Sequence, residues 1–279
     1  MARRWRRGLG RRFDLKRSLF LVPNLVTLSS IFCGFYSMLV SARATSEDDY
    51  YRAALLIIFA MFFDTLDGRL ARMTKTQSAF GLQLDSLADV VSFGAAPALL
   101  VYEWTLARLG LLGLGGAFAF TACGAIRLAR FNVLSMNAQG APTKPSKHMV
   151  GLPIPGAAGL LVSIVVANHA VQGALGGGRY AELMLGVTLT LAVLMVSTVP
   201  FRTFKDLKLD LRTLLLVAFV VGSSAVISSK LRPAFVLVWL IGAYILVGIC
   251  EGIWGFSKRL RARGLGRDST PPPGGPASP

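Results

Sequence analysis

Acidic residues are scarce in this 279-residue chain, fourteen in all, yet four of them fall together as Asp64, Asp67, Asp85 and Asp89. On helices, the i,i+3 spacing of the first pair and the i,i+4 spacing of the second each put two carboxylates on one face, Cβ atoms about 5–6 Å apart. A hairpin with its turn near Thr76 leaves Asp67 and Asp85 each nine residues from the turn, with Asp64 twelve and Asp89 thirteen away. All four would then share one depth, the inner pair roughly 13 Å below the turn. Carboxylates gathered like this repel one another, and hard divalent cations relieve the repulsion. All-oxygen ligands favour Mg²⁺, Mn²⁺ or Ca²⁺ over zinc. A site with two metals suits phosphoryl transfer, where it neutralises phosphate charge and stabilises attacking and leaving oxygens. Gly68 and Ala71 lie on the same stripe as Asp64 and Asp67, where small side chains let a diphosphate or nucleotide approach the helix. Arg72 and Lys75 supply cations at the mouth. Two other uses of the cluster stay open: salt bridges to Arg69, Arg72 or Arg127, and a carboxylate site for cation transport.

The elements that must hold these residues are apolar. Hydrophobic residues make up 53% of the chain and charged residues 16%, against about 25% charged in a typical soluble domain. The apolar residues form eight runs near the ~20 residues that cross a bilayer, at about 20–42, 48–72, 79–104, 110–134, 150–171, 180–199, 211–229 and 233–256. The expected fold is therefore all-α, a polytopic transmembrane helical bundle of about eight spans. An even number of spans puts both termini on one side. Of the thirty lysines and arginines, only Arg43, Arg52, Arg108, Arg179, Lys230 and Arg232 fall on the other side. That asymmetry predicts cytoplasmic termini and a site at the cytoplasmic ends of the second and third helices.

The chain divides into three parts: a basic amphipathic juxtamembrane segment over 1–19, a transmembrane domain over 20–256, and a basic then Gly/Pro-rich tail over 257–279, expected to be disordered. The net charge of +16 flanks the apolar runs, so anionic membrane lipids, not nucleic acid, are the expected partners. Cys33, Cys123 and Cys250 sit within apolar runs without a CxxC pair, so disulfides and zinc sites are not expected.

The stretch from Asp64 to Asp89 resembles the signature of the CDP-alcohol phosphotransferase family, D-x-x-D-G-x-x-A-R, eight residues, G-x-x-x-D-x-x-x-D. Asp64, Asp67, Gly68, Ala71, Arg72, Gly81, Asp85 and Asp89 match every fixed position. Leu21-Val-Pro23-Asn24-Leu-Val-Thr27 resembles the family's first-helix entry. Ser92-Phe-Gly94-Ala-Ala-Pro97, Arg127-Leu-Ala-Arg130-Phe-Asn132 and Gly151-Leu-Pro153-Ile-Pro155 resemble its phosphatidylserine synthase branch. The resemblance covers about residues 20–160. It implies Asp64, Asp67 and Asp85 as the main metal ligands, and Asp89 as a contributor to the metal site and the general base. It implies a CDP site shaped by Gly68, Ala71, Arg72 and Gly81, with CDP-diacylglycerol and L-serine as substrates in a bacterial cytoplasmic membrane.

Arg127 and Arg130 come after the fourth span on the side of the site, where a planar guanidinium could grip a serine carboxylate. Asn132 could bind the amine or cap its helix. Ser92 could bind a ligand or make a tight helix contact, and Pro97 is expected to bend the third helix. The reading is transfer of a phosphatidyl group to serine, giving phosphatidylserine and CMP. Rival acceptors are glycerol 3-phosphate or inositol phosphate, which would need a denser cluster of cations. Transport would need a polar path across the membrane, and the third helix offers little beyond Ser92 and Tyr102. Homodimerisation is left open.

Overall fold

The computed structural model describes residues 15–74, 78–135, 149–172, 180–201, 223–224 and 235–248. Most of the 1–19 segment, Lys75, the 211–229 span apart from two residues, and the 257–279 tail lie outside the described residues. The described chain is helical: α1 (Leu15–Ala42), α2 (Glu47–Met73), α3 (Ala79–Asp89), a π-helical turn (Val90–Ala95), α4 (Ala96–Trp104), a 3₁₀ turn (Leu106–Leu109), α5 (Leu111–Ser135), α6 (Ile154–Ala170) and α7 (Ala181–Val196), then α8 (Phe235–Gly248). Among the described residues, three helical stretches are long and apolar enough to cross a membrane: Pro23–Ala42, Ala79–Trp104 and Leu111–Leu134. Their outer faces expose large apolar side chains such as Phe32, Leu87 and Phe118, as lipid-facing helices do.

α1 and α2 pack more extensively than any other pair of described elements. Between them runs a seam of small residues. On α1, Ser30 and Ser37 donate to Ala60 O (3.1 Å) and Ala53 O (2.8 Å) of α2. Hydroxyls satisfied on a neighbouring backbone let two helices approach closely in an apolar medium. Gly34 continues the seam toward the π turn. A Cβ there would lie 2.7 Å from Ser92 Cα, so only glycine fits. Ser92 itself is fully buried and donates to Ser30 O at 3.0 Å, which makes it a helix contact.

The third span keeps its expected limits but is not a uniform helix. The Ala96 N–H bonds back five residues, to Val91 O, and Pro97 comes next, at the start of α4. Proline lacks an N–H and crowds the carbonyl four residues before it. The chain relieves both faults by widening the preceding turn.

The fifth span starts later than the sequence suggests. Met149–Val150 are extended and pair antiparallel with Pro200–Phe201, a contact two residues long. Gly151 then adopts φ +84, and Pro153 precedes α6. At the far end of α6, Asn168 donates to Glu47 (2.6 Å), while His169 bonds Asp48 (2.9 Å) and stacks on Tyr51. These contacts clasp α6 to the start of α2, where Ser46 and Asp49 form a capping box.

Candidate active site

Two caps close the α2–α3 hairpin that carries the carboxylates. α2 ends at Thr74, whose hydroxyl donates to Leu70 O at 2.7 Å. Ser78 then opens α3 by accepting from the Gly81 N–H at 3.0 Å. This register brings the two helices together as the spacing suggests. One carboxylate oxygen each from Asp64, Asp67 and Asp85 lie within 4.8 Å of one another. Asp89 joins them from one turn further on, its side chain meeting that of Asp64.

No ion pair among the described residues neutralises this group. Arg52–Asp49 and His169–Asp48 are ion pairs at the opposite end of α2. Arg69 and Arg72 are exposed, and among the described residues neither pairs with the cluster, while Arg127 lies in the field of Asp89 without forming an ion pair. One Asp89 oxygen is shut off from solvent with no hydrogen-bond partner. Gathered hard oxygen donors and an orphaned buried oxygen fit divalent cations.

Sequence reasoning missed the hydrogen bond that orients Asp67. Thr27 of α1 donates to Asp67 Oδ2 at 2.6 Å and also approaches Pro23 O at 3.1 Å. Its signal is the Pro23-Asn24-x-x-Thr27 stretch, which lies inside α1 and not at its start. A short bond of this kind fixes a carboxylate's rotamer and leaves its other oxygen for a ligand.

The surroundings of the cluster are open where a ligand would need room. A Cβ at Gly68 would meet nothing within 4 Å. Ala71 is half-buried, and Arg72 is exposed at the α2 end. Gly81 lies across the hairpin, its Cβ direction facing Ser78 Oγ at 3.2 Å and Asn24 Oδ1 at 3.9 Å.

The three acceptor candidates separate. Arg127 is 5% exposed, has a buried Nε with no hydrogen-bond partner, and lies in the field of Asp89, Arg130 and Tyr244. Tyr244 comes from α8, a helix whose sequence shows no motif beyond its apolarity. Arg130 turns the other way. Its Nη1 and Nη2 donate to Val196 O (3.1 Å) and Ser197 O (3.3 Å), covering carbonyls left open at the end of α7. The Gly151 and Leu152 N–H groups bond Val199 O (2.9 Å) and Leu194 O (3.0 Å) in the same knot. Asn132 is buried and ties α5 to α3, donating to Gln83 Oε1 (3.2 Å) and Ser86 Oγ (2.9 Å).

An apolar helical bundle holding such a carboxylate cluster has known counterparts. Residues 20–198 match the family model described as CDP-alcohol phosphatidyltransferase. The chain belongs to the CDP-alcohol phosphatidyltransferase family. A CDP-diacylglycerol–serine O-phosphatidyltransferase of Helicobacter pylori is 38% identical over 239 residues, which is 85% of this chain and 92% of the relative. A Bacillus subtilis protein of the same name is 32% identical over 184 residues, 66% of this chain and 91% of the relative. An archaetidylserine synthase of Methanothermobacter thermautotrophicus is 33% identical over 187 residues, 66% of this chain and 70% of the relative. For a phosphatidyltransferase of this family, the open hairpin mouth and the oxygen-rich cluster are what a diphosphate-bearing substrate requires.

Proposed function

We propose that this chain transfers a phosphatidyl group from CDP-diacylglycerol to the hydroxyl of L-serine, giving phosphatidylserine and CMP. The observation that carries the reading is the gathering of Asp64, Asp67 and Asp85 within 4.8 Å, in a chain whose relatives are named for serine as acceptor. The relative named for archaetidylserine differs in its lipid and keeps serine.

Asp64, Asp67, Asp85 and Asp89 would hold two divalent cations, Mg²⁺ or Mn²⁺, which when bound neutralise the diphosphate and make CMP a better leaving group. Gly68, Ala71 and Gly81 leave space for the CDP portion, and Arg72 with Lys75 attracts its phosphates. Asp89 takes the proton of the serine hydroxyl. The serine oxygen attacks the phosphorus nearest the diacylglycerol, and the bond from that phosphorus to the bridging oxygen of CMP breaks. The acyl chains remain in the bilayer between helices.

Arg127 is the acceptor-carboxylate ligand in this reading. It is buried, close to Asp89 and left with an unpartnered Nε, whereas the guanidinium of Arg130 is held by α7. Arg127→Lys keeps the charge but loses the planar fork. It should raise the serine KM by about tenfold or more, as expected for a charged hydrogen bond, with the CDP-diacylglycerol KM little changed. Arg130→Lys should lower thermal stability and leave the serine KM near wild type. CMP release from CDP-diacylglycerol is measured with serine, glycerol 3-phosphate or inositol phosphate as acceptor. Turnover with a phosphorylated acceptor and none with serine would overturn the assignment.

The bundle would have eight spans, with both termini and the carboxylate site on the cytoplasmic side, because twenty-four of thirty cations fall on that side. Single cysteines at positions 5 and 265 in a cysteine-free background should resist membrane-impermeant thiol reagents until cells are permeabilised. Labelling of both in intact cells would reverse the orientation.

A further inference from the structure

The first helical hairpin carries a second feature at the end remote from the carboxylates. Between α1 and α2 lies an open groove of about 540 Å³. Its rim holds Arg43, just past α1, Arg52, in the second turn of α2, and the Asp49 side chain between them in sequence, and its floor is apolar. Tyr36 lies seven residues before Arg43, and Phe59 seven after Arg52. Each helix thus sets an aromatic ring roughly 10 Å deeper than its arginine. Leu39 and Leu56 line the space between.

The two arginines are poorly satisfied. Among the described residues, the Arg43 side chain has no hydrogen bond or ion pair. Arg52 reaches Asp49 only at 3.8 Å, beyond good hydrogen-bond range. Asp49 is already committed, since its Oδ2 accepts from the Thr45 and Ser46 N–H groups at 3.1 Å each. Two guanidinium forks above an apolar trough match a phosphate above an acyl chain. Fifteen residues of α2 separate Arg52 from Asp67, about 22 Å along the helix. The groove is therefore separate from the carboxylate site, and with α2 crossing the bilayer as proposed above it opens to the other leaflet. A second copy of the chain fits it less well, because a two-fold contact there would oppose Arg43 and Arg52 with their own symmetry mates.

We propose that this groove binds an anionic phospholipid of the leaflet opposite the carboxylates, its phosphate on Arg43 and Arg52 and an acyl chain along Tyr36, Leu56 and Phe59. The site does not depend on which alcohol the chain uses as acceptor.

The test uses the purified full-length protein in detergent, titrated with phosphatidylglycerol or phosphatidylcholine of identical chains and followed by native mass spectrometry. Lipid held at the carboxylate site is common to all variants, so the comparison is between wild type and variant. Wild type should bind phosphatidylglycerol more tightly than phosphatidylcholine. Arg43→Gln with Arg52→Gln should weaken the anionic lipid by on the order of thirtyfold, the loss expected for two interfacial cations, and leave phosphatidylcholine unchanged. Leu56→Trp, which fills the apolar end and keeps both charges, should lower binding of both lipids. Unaltered phosphatidylglycerol binding in either variant overturns the proposal. So does wild-type protein that is dimeric by mass and binds phosphatidylglycerol no more tightly than phosphatidylcholine.

Discussion

Asp85→Asn is expected to reduce turnover by at least 10²–10³-fold, about the scale of losing one group that stabilises developing charge. The substitution is isosteric, so packing at the half-buried position should survive. What it removes is a charge from the three oxygens that lie within 4.8 Å of one another. Asp64→Asn should behave alike, because it removes another of the three and the neighbour of Asp89. Both variants should remain monodisperse in detergent with wild-type helicity. A chelator should silence the wild-type protein, and Mg²⁺ or Mn²⁺ should restore it. Binding of Mn²⁺, followed by its paramagnetic resonance signal, should weaken in both variants. Full activity in excess chelator would remove the divalent ions from the reaction.

The companion expectation concerns Asp89→Asn, which should cost on the order of 10²–10⁴-fold in kcat, the usual worth of general-base assistance. Asp89 differs from the others in place. It sits at the last turn of α3, meets Asp64, and lies in the field of Arg127. In the proposed reaction that position would face both the diphosphate and the acceptor. If its main work is proton removal, Asp89→Asn should bind CDP-diacylglycerol with metal nearly as well as wild type, while Asp64→Asn should not. Equal loss of lipid binding in the two variants would make Asp89 chiefly a metal ligand and place the base elsewhere.

The hairpin register was legible in the sequence because helical spacing and the distance to a turn are local quantities. Asp64, Asp67 and Asp85 needed nothing more to be brought together. Arg127 and Arg130 were not separable in the same way. They lie three residues apart on α5, and what divides their roles is the end of α7, more than sixty residues downstream. Thr27 was hidden for a related reason. A hydroxyl in an apolar helix usually bonds its own backbone, and only the neighbouring α2 reveals that this one also holds Asp67. Pro97 announced an irregular third span, but a proline can kink, break or widen a helix. The close approach of Gly34 to Ser92 shows why a straight continuation there would not pack.

The widened turn after Asp89 also sets an angular phase. In an unbroken α-helix each residue advances about 100°, and Ser92 would continue the stripe of Asp85 and Asp89. The wide turn over Val90–Ala95 uncouples α3 from α4. Asp89 can then point at Asp64 while Ser92 turns to Ser30 of α1. Deleting one residue from Val90–Ala95 would remove the wide turn that accommodates Pro97. It would also swing α4 by about a quarter-turn relative to the carboxylates. The length of this segment is thus a mechanical setting of the site, fixed by its residue count.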